Sequence, residues 1–206
     1  MVDLVLVRHG ERAGTRERRY AGSTDVALTP RGYEQAERLA EWAREASLTA
    51  IYSSTLVRAR ETAAAAARAN GLEVRMEPRL VELDFGEGEG LTEGEMAERF
   101  PDALQAFYAD PAAHPLPGGE DPHTAVARGL AAVREIAAAH PDGRVLVVMH
   151  TTLMRLMLCR FLGAPLGEYR RLFPLVRNCS LTELRYDGDR AAVLEFNTPV
   201  DGRRPA

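Results

Sequence analysis

Two uninterrupted apolar runs stand out along the chain, Leu4-Val5-Leu6-Val7 near its start and Val145-Leu146-Val147-Val148-Met149 further on. Runs this short and continuous read as strands buried on both faces, the kind found inside a parallel sheet. Each stops abruptly at a histidine: the first leads into Arg8-His9-Gly10-Glu11, the second into His150-Thr151-Thr152. A shorter run, Ala50-Ile51-Tyr52, leads into Ser53-Ser54-Thr55, and an alternating stretch from Leu72 to Leu83 reads as the third strand in chain order.

Between these runs the apolar spacing becomes helical. Thr29 and Pro30 stand as N-cap and first residue of a helix whose Ala36, Leu39, Ala40 and Ala43 share one face. An alanine-rich helix is expected from about Leu56 to Asn70, stopped by Gly71. Glu93 to Phe100 and Ala103 to Ala109 read as short helices joined at Pro101. Asp121-Pro122 opens another with Val126, Leu130, Val133 and Ala137 inward, and Leu153 to Leu162 forms a helix capped by Gly163. Leu181 to Tyr186 and Ala191 to Phe196 make a hairpin around Asp187-Gly188. Strands alternating with helices predict an α/β fold of three layers, α/β/α, with a mostly parallel central sheet of about six strands and one antiparallel edge. No linker interrupts residues 1–206, so a single domain is expected, with residues 84–122 as a lid-like insertion over the site.

Composition narrows the chemistry. All 26 basic residues are arginine, which excludes a Walker-type phosphate loop, a pyridoxal Schiff base and a lysine nucleophile. A bound phosphate would be held by arginine forks, histidines and backbone N–H groups. The net charge of -4 offers no basic footprint for nucleic acid, and no apolar run approaches the roughly 20 residues that cross a bilayer. The N-terminus lacks the signal-peptide pattern, and Cys159 and Cys179 are too few for a disulfide framework. A cytoplasmic protein is expected, monomer or homodimer, with a small phosphate ester as partner and neither nucleic acid nor membrane.

In an open α/β sheet ligands bind beyond the carboxyl ends of the strands. The three apolar runs deliver Arg8 and His9, Ser53 to Arg58, and His150 to that edge. Alone, the first exit is matched by an ordinary strand end with a solvated arginine; three convergent exits favour a site. Arg58 also stands in the first turn of a helix, where a cation opposes the macrodipole unless an anion is expected. Two histidines and two arginines without metal-ligand spacing describe a pocket for a dianion such as a phosphate ester. A neutral imidazole can attack phosphorus, while Arg8, Arg58 and His150 stabilise the equatorial oxygens. Glu82 is the candidate proton donor, since a carboxyl beside phosphate in a partly dry site can hold a proton. Arg12, Arg16, Arg18 and Arg19 either favour a second acidic group or are simply solvated, and His114, His123 and His140 are expected to be exposed.

Other phosphoryl chemistries fit poorly. Cys179 and Arg185 have the spacing of a cysteine phosphatase, but the residues between them alternate like a strand and lack cradle glycines. Asp187-Gly188-Asp189 sits in a hairpin turn rather than after a buried strand, and the clustered His and Asp of a two-metal site are missing.

From Leu4 to Phe196 the chain resembles the histidine phosphatase superfamily, also called phosphoglycerate mutase-like. The matching motifs are Leu6-Val7-Arg8-His9-Gly10-Glu11, Gly22-x-x-Asp25-x-x-Leu28-Thr29-x-x-Gly32-x-x-Gln35-Ala36, Tyr52-Ser53-Ser54-x-Leu56-x-Arg58-Ala59-x-x-Thr62-Ala63, Glu82-x-x-Phe85-Gly86-x-x-Glu89-Gly90, Pro117-Gly118-Gly119-Glu120 and the strand ending at His150. The resemblance implies His9 as the phosphorylated nucleophile, Arg8, Arg58 and His150 as the phosphate pocket, Glu82 as proton donor and later general base, and neither metal nor cofactor. Thr15, Gly22, Ser23 and Thr151 are expected to touch the substrate. Arg12 stands where the family usually has Thr or Ser, Thr15 where an Asn often completes the pocket, and Thr151 where a glycine commonly follows the second histidine. The stretches after Glu82 and around Gly118-Gly119-Glu120 look like the short phosphatase branch, including α-ribazole phosphatases. A metal-independent phosphomonoesterase is expected; phosphoglycerate mutase-type transfer and a non-catalytic phosphate-ester binding module are the alternatives.

Overall fold

The computed structural model describes residues 1–188 and 190–200; Asp189, in the Asp-x-Asp weighed above, lies outside them. Six strands form one sheet: β1 (Val2–Arg8), β2 (Ala50–Ser53), β3 (Val74–Met76), β4 (Arg144–Met149), β5 (Leu181–Tyr186) and β6 (Ala191–Thr198). Their spatial order is β3-β2-β4-β1-β5-β6. The first four run parallel, whereas β5 is antiparallel to both of its neighbours. The expected mostly parallel sheet with an antiparallel hairpin edge is therefore present.

Alternation along the strands assigns the helices to the two faces. Leu4, Leu6, Val145, Val147 and Met149 share a core with α5 (Pro122–Ala139) and α6 (Thr151–Phe161). Val5, Val7, Ile51, Leu146 and Val148 pack on the other side with α1 (Pro30–Glu45) and α2 (Val57–Asn70). Three short helices, α3 (Glu93–Arg99), α4 (Pro101–Ala109) and α7 (Tyr169–Leu172), complete the chain's helical segments among the described residues, apart from single 3-10 turns. The predicted caps are in place: Thr29 accepts from the Gly32 N–H, Asp121 accepts from the Thr124 N–H, and Gly71 takes the left-handed conformation that ends α2.

Some expectations need correction. The strand expected over Leu72 to Leu83 shrinks to the three residues of β3, because Glu77 caps a 3-10 turn over Pro78–Leu80 and Pro78 has no N–H for a ladder. Helix α6 begins at Thr151, directly after His150, two residues before the expected Leu153. His140 is half-buried against Tyr52, whose hydroxyl lies 3.2 Å from Nε2, while His114 and His123 are exposed. Cys159 and Cys179 are buried and form no disulfide. No helix among the described residues is long and apolar enough to cross a membrane.

Two glycines set how closely α1 approaches the end of β1. A Cβ on Gly10 would lie 2.5 Å from the Gly32 carbonyl oxygen, and one on Gly32 would lie 2.1 Å from that of Glu11. Backbone rests on backbone at this contact. The Gly10 N–H donates to Thr62 Oγ1, whose hydroxyl donates to the Arg58 carbonyl, so the exit of β1 is also tied to α2.

Candidate active site

Strand register brings the histidines together. Arg8 of β1 lies opposite Met149 of β4, so the next residue on each strand leaves the sheet beside the other. The rings of His9 and His150 stand 5.1 Å apart between centroids. Nδ1 of His9 is 2.7 Å from the Gly10 carbonyl oxygen, which can only accept. The ring therefore carries its hydrogen on Nδ1 and keeps the Nε2 lone pair available. Burial first, then the charges of Arg58 and Arg8, hold His9 well below the ordinary imidazole value of 6.5, so the ring is neutral at pH 7. Burial and Arg58 act on His150 in the same direction.

Arg58 is completely buried, which for an unpaired guanidinium requires several acceptors. The loop after Tyr20 supplies them: Nη1 donates to the Thr24 carbonyl at 2.8 Å and Nη2 to those of Gly22 at 2.6 Å and Ala21 at 3.3 Å. Glu89 clamps this loop by accepting from the Ser23 and Thr24 N–H groups, and its carboxyl sits below the usual range. Gly22 permits the approach, since a Cβ there would fall 2.1 Å from the Leu83 carbonyl oxygen. Burial lowers both Arg58 and Arg8 to about 10, with Arg155 adding to the effect at Arg8. Both remain cations at neutral pH.

Glu82 lies at the start of α6 in space, although 70 residues separate it from Thr152 in the chain. Its Oε1 accepts from the N–H groups of Leu83 and Leu153 and its Oε2 from that of Thr152, each at 2.9 Å. The carboxyl group thus caps a helix that the strand end leaves without a side-chain cap. Behind it, Arg128 donates to the carbonyls of Arg79, Val81 and Glu82 and pairs with Glu120 at 2.7 Å, fixing the segment that carries Glu82.

These residues meet at a cleft of about 500 Å³. Arg8, His9, Glu82, Thr15 and Thr151 line it; Arg58 and His150 are fully buried and do not, and with Arg8 and His9 they make up the buried end of the site, its floor. Gly22 and Ser23 do not line it: Gly22 holds Arg58 through its carbonyl, and Ser23 is exposed and bonded to Glu89. Of the loop arginines, Arg12, Arg18 and Arg19 reach the cleft and Arg16 does not. Phe85 is the residue of segment 84–122 in its wall. Arg155, Tyr169 and Arg170 also line it and were missed from the sequence. Arg155 had a readable signal, since it follows Thr151 by four residues on one helix face; four-residue α7, bearing the other two, had none.

Several buried donors on the floor lack partners. Among the described residues, Nε of Arg8, Nε of Arg58 and Nδ1 of His150 are buried without a hydrogen-bond partner, while Nε2 of His150 is 2.8 Å from Ser54 Oγ. With Ser54 donating to Nε2, Nδ1 carries the hydrogen, and all three atoms are donors suited to an anion. No group of three or more His, Cys, Asp or Glu among the described residues is placed to hold a metal ion.

Parallel strand ends, paired imidazoles and buried donors without partners describe an α/β protein whose cleft is suited to an anion. The chain belongs to the histidine phosphatase superfamily, branch 1, whose family model matches residues 4–199. It is 34% identical over 197 residues to phosphoserine phosphatase 1 of Hydrogenobacter thermophilus, covering 96% of this chain and 92% of that protein. It is 33% identical to a probable phosphoglycerate mutase of Salmonella choleraesuis, over 90% of this chain and 86% of the other. The mycobacterial glucosyl-3-phosphoglycerate phosphatase structure superposes with a TM-score of 0.85 at 30% identity, covering 95% and 98% of the two chains. A bifunctional protein of Mycobacterium tuberculosis, 37% identical, is longer: the match spans 51% of it.

Proposed function

We propose that this protein is a metal-independent phosphomonoesterase acting on a small phosphorylated metabolite through a phosphohistidine at His9. The main support is the tautomer of His9, which leaves the Nε2 lone pair free of the Gly10 carbonyl, together with three buried donors that have no hydrogen-bond partner among the described residues. In the first step Nε2 attacks phosphorus, the ester P–O bond breaks, and the leaving oxygen takes a proton from Glu82. Oε2 of Glu82 is the atom for this, because it accepts one N–H where Oε1 accepts two. Arg8, Arg58 and His150 stabilise charge on the transferring group. In the second step Glu82 takes a proton from water, the oxygen bonds phosphorus, and the P–N bond breaks to restore His9 and release inorganic phosphate. Thr15 and Thr151 contact the substrate at the cleft wall, whereas Gly22 and Ser23 serve by positioning Arg58.

Phosphate release from a panel of esters in EDTA tests this reading, with His9→Ala alongside. Turnover by the wild type, an acid-labile phosphohistidine during it, and loss of both in the variant are expected. Full activity in the variant would overturn the mechanism. Phosphoglycerate isomerisation far exceeding phosphate release would favour the mutase reading, which the Salmonella relative's name supports, and ester binding without turnover would favour a binding module.

A further inference from the structure

The arginines around the cleft outnumber the charges of one phosphate. Arg8, Arg12, Arg58, Arg155 and Arg170 make no ion pair among the described residues; the hydrogen bonds of their guanidinium groups go to backbone carbonyls or tyrosine hydroxyls. Arg19 differs, being neutralised by Glu95 at 2.7 Å. A phosphomonoester brings two negative charges near neutral pH, which Arg8 and Arg58 match on the floor. Glu82, the acidic side chain of the lining, is turned to the N–H groups of α6. Arg12, Arg155 and Arg170 are left without an ion-pair partner, and Glu82, which acts on Arg12 and Arg155 from a distance, offsets at most one of their three charges.

Although they stand at the rim, their guanidinium groups are held in place by neighbours. Arg12 is held by the carbonyls of Ala13 and Arg19 at 2.7 and 2.5 Å. Arg170 is fixed over the rings of Phe107 and Tyr108, 5.5 and 4.8 Å from their centroids, and donates to the Tyr20 hydroxyl. Arg155 donates to the Pro174 carbonyl, yet its Nε is buried without a partner, as is Thr15 Oγ1. Burial pulls both Arg12 and Arg155 below the ordinary guanidinium value, the expected effect on cations withdrawn from water. The cleft's roughly 500 Å³ leaves space beyond a phosphoryl group for such a ligand.

We propose that Arg12, Thr15, Arg155 and Arg170 form a second anion subsite, and that the substrate is a phosphomonoester whose alcohol part carries its own carboxylate or second phosphate. The subsite rests on the phosphatase reading for its catalytic meaning, but its binding is measurable without turnover.

Matched esters provide the test: phosphoserine against phosphoethanolamine, 3-phosphoglycerate against glycerol 3-phosphate, and a hexose bisphosphate against its monophosphate. In the wild type, kcat/KM for the acidic member of at least one pair is expected to exceed that for the other by about tenfold or more, the worth of a charge-assisted hydrogen bond. The ratio should collapse towards one in Arg155→Gln and Arg12→Gln and recover in part in Arg155→Lys. Both members are assayed on one preparation, so loss of folded protein cancels from the ratio. Equal kcat/KM within every pair, or variants that lower both members equally, would overturn the subsite; the second outcome would make the arginines a general attractor of dianions. If no ester is hydrolysed, the phosphatase reading fails, and the same pairs titrated into His9→Ala decide the subsite by whether the acidic member binds more tightly.

Discussion

On the floor of the cleft, Arg58 is fully buried and donates to backbone carbonyls of one clamped loop, while His9 and His150 are set side by side by strand register. At the rim, Arg12 and Arg170 come from a loop and a four-residue helix, and each is steadied by neighbours without being buried completely. Both regions are cationic, but the floor is part of the sheet's own geometry and the rim is attached to it. A change on the floor must therefore disturb folding and chemistry together, whereas a change at the rim should alter which molecule is gripped.

Arg58→Gln and Arg12→Gln test this division most severely. Arg58→Gln is expected to lower kcat/KM by about 1,000-fold, as loss of a preorganised donor to the transition state does. It should also cost about 1–3 kcal/mol in urea unfolding, because the Gly22 and Thr24 carbonyls lose their donor. Arg12→Gln should leave stability within about 0.5 kcal/mol and act through KM. Equal stability losses in the two variants would break the distinction.

Glu82 sits between the regions, and Glu82→Gln sharpens the comparison. The loss of kcat is expected to be about 100-fold for an alkyl phosphate, within the range for a general acid. For p-nitrophenyl phosphate, whose leaving group needs no proton, it should be about tenfold or less. The same loss for both esters would mean that Glu82 matters only as the cap of α6.

The smallest effect is on stability against pH. His9 and His150 are held well below 6.5 in the folded chain, so the unfolded chain binds more protons as pH falls through that value. Their contribution is fully present above pH 6.5 and is lost on acidification towards the folded values, by about 1.4 kcal/mol per unit of depression at each ring. Denaturant midpoints between pH 8 and 5 should fall accordingly. The fall should be shallower in His9→Ala and with saturating phosphate, whose charge favours the protonated rings; an unchanged slope in both would count against neutral buried histidines.

The floor was legible in the sequence because each of its parts lies where a strand stops. Arg8 and His9 follow one apolar run, His150 another, and Arg58 follows the serines after a third. Periodicity locates strand ends, and parallel pairing brings them to one edge. Other features depend on contacts between distant segments. Nothing local to Glu82 says that it caps a helix 70 residues later. The motif around Gly22 marks it as near the site, but nothing local to it says that its carbonyl holds Arg58, 36 residues on. Alternation over Leu72 to Leu83 suggested a strand where Pro78 turns the chain, and α7 is too short to show any period.

The backbone contact between Gly10 and Gly32 bears on how such chains vary. Neither residue has a positive φ, so glycine is not required there by conformation. It is required by a neighbour that is itself backbone, and a methyl group at either position would push the start of α1 away from the residue next to His9. Substitution at one position cannot be relieved by rotating a side chain at the other. Across descendants of this sequence the two sites should therefore drift as one character, and a chain that has lost one glycine should show a displaced α1 or a second change that reopens the gap.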